Sequence, residues 1–172
     1  MTIAGNVAEY RADASRGAAG PNVLRRQREP SVQTPVRVLC VDDNELVADS
    51  VRRRLQMEPA YSWAGWFRHT DELLADGAAR AADVILLDID MPGQDTFGVV
   101  RRLGETAPDA RVVMFSGYVR SDYIDRAIEA GAWGYISKND GIDEVLDAVR
   151  QVALGEFALS RDAFTEQGRS VR

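Results

Sequence analysis

From Pro35 onward the chain alternates short apolar runs with segments of helical periodicity, and most of the apolar runs end on polar residues. Val36–Val41 is dense in β-branched side chains and runs into Asp42-Asp43-Asn44. Val84–Leu87 closes on Asp88, Arg111–Phe115 on Ser116-Gly117, and Trp133–Ile136 on Ser137-Lys138. Tyr61–Phe67 is a further, more aromatic run. Strands with one wet face alternate apolar and polar residues. Near-continuous apolar runs instead mark strands of a parallel sheet covered on both faces.

The intervening segments read as the covering helices. Leu46, Val47, Ser50, Val51, Arg54 and Leu55 recur at helical spacing, with Asn44 placed to cap them and Glu45 in the first turn. Thr70 opens a second helix that ends near Gly77, and a third runs from about Phe97 to Glu105 before Pro108. Tyr123, Ile124, Ala127 and Ile128 mark a fourth, while Ile142 to Ala153 gives the last a broad apolar stripe. Five such alternations predict an α/β fold, a doubly wound five-stranded parallel sheet with helices on both faces.

Composition sets the outer bounds. The 172 residues suffice for one full core and are too few for two ordinary domains. Residues 35–156 carry the pattern. Residues 1–34 are small and polar and predict a flexible N-terminal extension, because they bury too little to offset ordering entropy. Residues 157–172 predict a C-terminal tail, frayed from Arg161, with no output domain and no basic recognition helix. A net charge of −6 argues against a general nucleic-acid surface or an anionic-membrane anchor. No apolar run reaches the roughly 18–20 residues of a membrane span. No signal peptide is legible, and Cys40 is the single cysteine. A cytoplasmic protein without direct DNA or membrane contact is the expectation.

The strand-end residues carry the chemistry. In an open α/β sheet the C-terminal rim is the ligand site, and here it gathers Asp42, Asp43, Asp88, Ser116 and Lys138. Three converging carboxylates repel unless a cation sits among them. Oxygen-only ligands favour Mg2+, with Mn2+ as a substitute. Lys138 supplies positive charge for a transferred phosphoryl group, Ser116 a hydroxyl donor, and Asp88 a carboxylate nucleophile.

Taken together, Asp42-Asp43, the segment Leu86 to Gly93, Ser116-Gly117 and Tyr135-Ile136-Ser137-Lys138 resemble the response-regulator receiver domain of bacterial two-component systems. The segment Gly155 to Ser160 is similar to the receiver-to-linker join of the NarL/FixJ group. The resemblance implies a flavodoxin-like strand order 2-1-3-4-5 and a phosphoryl group on Asp88, taken from a sensor histidine kinase or phosphotransfer protein. It further implies Mg2+ held by Asp42, Asp43, Asp88 and the backbone carbonyl of Asp90. Ser116 and Lys138 would meet the phosphoryl oxygens, and Tyr135 would turn inward as Ser116 moves. A surface of the fourth helix, fifth strand and fifth helix would switch, acting on a downstream protein target or, by analogy, in a homodimer. Slow self-dephosphorylation, not metabolic turnover, is implied.

Two positions depart from the family pattern: Asn139 stands where proline is common, and Thr96 where glycine is common. Cys40 reads as a small core residue and His69 as surface. Trp66 is a candidate exposed contact, and the side chain of Asp90 is expected in solvent. A longer NarL/FixJ-type regulator is the alternative context. A pseudo-receiver is disfavoured by the intact acidic set. A haloacid-dehalogenase-like phosphatase is the distant alternative, because that family places its nucleophile strand first.

Overall fold

A strand with Val, Ile and Leu at consecutive positions has no side to offer water, and β3 (Val84–Asp88) is buried along its whole length. The computed structural model describes the backbone of residues 34–170 and the side chains of residues 34–166. The predicted extension at residues 1–34 lies outside the described residues, Thr34 excepted. Around β3 stand β1 (Val36–Val41), β2 (Tyr61–Phe67), β4 (Arg111–Ser116) and β5 (Gly134–Ser137). The helices are α1 (Glu45–Gln56), α2 (Thr70–Asp76), α3 (Thr96–Thr106), α4 (Ser121–Ala130) and α5 (Ile142–Ala153). All strand pairs are parallel.

Alternation along the strands splits the core into two layers. Leu39, Val41, Ile85, Leu87, Met114 and Tyr135 face one way, towards Leu73 of α2, Phe97 and Leu103 of α3, and Ile124 and Ala127 of α4. Val38, Cys40, Leu86, Val113, Phe115 and Ile136 face the other, towards Val51 and Leu55 of α1 and Leu146 and Val149 of α5. Local chemistry sets the helix starts. Asn44 accepts from Leu46 N–H at the head of α1, and Asp95 accepts from Gly98 N–H at the head of α3. Thr96, the departure from glycine, is buried at the start of α3 without displacing that cap.

The C-terminal segment departs from expectation. The sheet has six strands in the order 2-1-3-4-5-6, because β6 (Ala158–Leu159) adds beside β5. A sixth helix, α6 (Arg161–Ser170), follows where fraying was expected. The tail packs because Gly134 makes room for it. A Cβ there would lie 2.8 Å from the Ala158 carbonyl oxygen. Ala163, fully buried on the inner face of α6, then joins the layer of Tyr135 and Ile124. Contacts built from a missing side chain and a lone alanine leave no hydrophobic period to read.

Candidate functional site

Parallel strands joined by helical crossovers bring their C-terminal ends to one rim. Asp42 leaves the end of β1 fully buried, with Asp43 half-buried beside it. The loop carrying them is tied down on three sides. Asp42 N–H donates to the Phe67 carbonyl at 3.1 Å, Asn44 N–H donates to Asp42 Oδ1 at 2.9 Å, and the Trp66 indole Nε1–H donates to the Asp42 carbonyl at 2.8 Å. Trp66 is therefore half-buried against the core, not the exposed contact its sequence position suggested. Its role was not legible because indole and carbonyl belong to different strands.

Asp88, only 2% exposed at the end of β3, accepts from Asp90 N–H at 2.9 Å through Oδ1. Its Oδ2 lies 2.9 Å from Lys138 Nζ, which also sits 2.7 Å from Asp42 Oδ2. One ammonium thus bridges two carboxylates drawn from the ends of the adjacent strands β1 and β3. Although ion-paired, Asp42 Oδ2 is buried without a hydrogen bond of proper geometry, so part of its capacity for a cation is unspent. Asp42, Asp43 and Asp88 each offer a ligand oxygen within 4.8 Å of the others. That is a donor set fitting a hard divalent ion.

Charge and burial oppose each other here. Burial pushes the Asp88 carboxyl above the usual range, against the Asp90 N–H and Lys138, with Asp42 adding to the rise. Burial works against the Lys138 ammonium, but its two carboxylate partners outweigh that and hold its pKa above the ordinary lysine value. Cys40, in the adjoining core, has its thiol pushed up mainly by burial.

Ser116 ends β4 fully buried, its hydroxyl facing Asp90 Oδ2 at 2.9 Å and the Tyr118 carbonyl at 2.7 Å. Gly117 N–H also donates to Asp90 Oδ2, at 3.1 Å. Asp90 is exposed, as expected, but its side chain does more than sit in solvent, for it holds the end of β4. Tyr135 is already inside, fully buried, and donates its hydroxyl to the Tyr118 carbonyl at 2.8 Å. Burial pushes its pKa up to about 12. Lys138 N–H donates to the Ser116 carbonyl at 2.7 Å, and Asn139 Nδ2 donates to the Gly117 carbonyl at 3.0 Å. Asn139, noted in sequence only as a missing proline, thus braces the β4–α4 loop. His69 stays exposed before α2.

A doubly wound sheet with three carboxylates and an ammonium gathered on its C-terminal rim defines a receiver module of the two-component type. Residues 38–150 match the response regulator receiver domain model, and the chain belongs to that family. It is 30% identical over 127 residues to response regulator UvrY of Escherichia coli, covering 74% of this chain and 58% of that protein. It is 31% identical over 125 residues to response regulator GacA of Pseudomonas aeruginosa, covering 73% of this chain and 58% of that one. The chain therefore spans a little over half the length of the curated relatives it matches. Among solved structures, a LuxR-family two-component response regulator from Aurantimonas superposes with a TM-score of 0.74 at 25% identity, over 80% of this chain and 99% of that one. The signal receiver domain of the putative response regulator NarL from Mycobacterium tuberculosis gives 0.66 at 29%, over 71% and 98%. The receiver family is a family of signalling switches rather than classical enzymes.

Proposed function

We propose that Asp88 is the phosphoacceptor, taking its phosphoryl group from a phosphohistidine on a sensor histidine kinase or phosphotransfer protein. The observation that carries this reading is the Lys138 ammonium held 2.9 Å from Asp88 and 2.7 Å from Asp42 at the sheet's C-terminal rim. An Asp88 oxygen attacks phosphorus and forms the acyl phosphate O–P bond as the P–N bond to imidazole breaks. The freed imidazole keeps the electron pair and takes a proton from solvent. Lys138 pairs with the new phosphoryl charge, and Ser116 turns its hydroxyl from Asp90 and Tyr118 to a phosphoryl oxygen.

Asp42, Asp43 and Asp88, with the Asp90 backbone carbonyl, would hold Mg2+, and Mn2+ in its place. The bound ion shields the approaching anions from one another. Loss of the Ser116 contact leaves the Tyr118 carbonyl to Tyr135 alone. The β4–α4 loop then shifts, and with it the α4–β5–α5 surface, as a population change biased by local charge. Hydrolysis of the acyl phosphate is slow and Mg2+-dependent, so the chain behaves as a switch.

Incubation with acetyl phosphate and Mg2+, followed by intact mass, should add one phosphoryl group to the wild type and none to Asp88→Ala. Equal modification of both proteins would remove Asp88 from this role.

A further inference from the structure

The neighbours of Lys138 also hold the C-terminal helix. Ser137 N–H donates to Ser160 Oγ at 2.9 Å, while Ser160 N–H donates to the Tyr135 carbonyl at 3.1 Å. Ser160 O in turn accepts from Phe164 N–H at 2.9 Å in the first turn of α6. Ser137 Oγ reaches Asp162 Oδ2 at 3.5 Å and accepts from Asn139 N–H at 3.1 Å. Asp140 Oδ2 accepts from Asp162 N–H at 3.3 Å. From this anchorage α6 runs against α4 and β5. A cleft lined by Val119, Asn139, Asp162, Thr165 and Glu166 lies between its first turns and the two loops that flank the acidic rim.

We infer that α6 is a lid over the α4–β5 face, released when Asp88 is phosphorylated. The inference rests on the phosphoacceptor reading of Asp88. Its direction follows from two independent features. The first is mechanical. Lys138 N–H is tied to the Ser116 carbonyl and Lys138 Nζ to Asp88, so a phosphoryl group that draws both residues to its oxygens displaces the Ser137–Asp140 segment. That segment carries both contacts to Asp162.

The second feature is electrostatic. Asp140, Asp162 and Glu166 cluster where α6 begins, and the carboxylates of Asp140 and Asp162 already offset its N-terminal dipole. Turning the Asp88 carboxylate, at about −1, into an acyl phosphate of about −1.5 to −2 raises the like charge on the same rim by up to about one unit. Few apolar contacts oppose release. Ala163 is the one fully buried apolar side chain among the described residues of α6, Phe164 is 47% exposed, and Arg161, itself 79% exposed, pairs with a partly buried Glu144. β6 is different. Its pairing with β5 and the close approach at Gly134 keep it in place, so the hinge lies between Ser160 and Arg161.

Hydrogen–deuterium exchange on the full chain tests this, with Mg2+ alone and with Mg2+ plus acetyl phosphate, and Asp88 loading read from intact mass. Release predicts that α6 amides exchange about tenfold faster or more upon loading, while β6 amides change by less than about twofold. Asp162→Asn removes one like charge and should shrink the α6 response, with Asp88 still loading normally. Ala163→Glu should expose α6 to the same degree with no phosphoryl donor present. Unchanged or slower α6 exchange in a chain whose Asp88 is loaded overturns the lid and leaves the phosphoacceptor reading intact. A chain that never loads Asp88 overturns both.

Discussion

Lys138 has two buried carboxylates within ion-pair range and a single positive charge, so the rim is underneutralised. The cost falls on Asp88, whose folded pKa lies above its unfolded value. The native state therefore holds that proton more tightly. Asp88's contribution to stability is most favourable below the ordinary carboxylate range and is lost as pH rises through the raised value. In metal-free buffer Asp88→Asn should accordingly be more stable than wild type at pH 7, by on the order of 1 kcal/mol. The difference should fade towards about pH 3 to 4, where both proteins are neutral at this position. Urea denaturation at the two pH values measures it, and a variant less stable at neutral pH would contradict the charge argument.

Trp66 belongs to the same scale. Its indole N–H orients the Asp42–Asp43 peptide, one step removed from the carboxylates themselves. Trp66→Phe keeps the ring and loses the donor. Mg2+ affinity by titration calorimetry should fall about tenfold, with phosphorylation by acetyl phosphate restored at saturating Mg2+. Unaltered affinity would reduce Trp66 to packing.

Among the elements, β6 shows how a two-residue strand can be specified. Its partner must lack a side chain at the point of contact, and Gly134 does. Gly134→Ala drives a methyl to 2.8 Å from a backbone oxygen that cannot rotate away. A loss of about 1–3 kcal/mol is expected by thermal unfolding, together with faster amide exchange in β6 and α6. The β1, β3 and β4 runs show the opposite case, where apolar density alone announces a strand buried on both faces. The Asn44 boundary before α1 was readable for a similar reason, since an N-cap is a local interaction. The Asp95 cap that starts α3, two residues before the expected Phe97, came only with the structure.

At the scale of the whole molecule, the acidic rim should couple to global stability, since a ligand bound only by the native state stabilises it by mass action. Mg2+ at about one hundred times its Kd should add about 2.7 kcal/mol. Chelation should return the melting temperature to its metal-free value, and Asp88→Asn should blunt the increment. A melting temperature indifferent to Mg2+ in the wild type would argue against a divalent site.

The chain's own order of residues determined the parallel sheet, its covering helices and the gathering of Asp42, Asp43, Asp88, Ser116 and Lys138 at one rim. Strand periodicity and βα connection are local patterns, and they force strand ends to a common side. The tertiary structure alone decided what those residues touch. It joined Trp66 to Asp42, set Asp90 against Ser116, and seated β6 and α6 beside β5. Such contacts link positions far apart in sequence through single donors, one absent Cβ and one buried alanine, none of which repeats along the chain to leave a period.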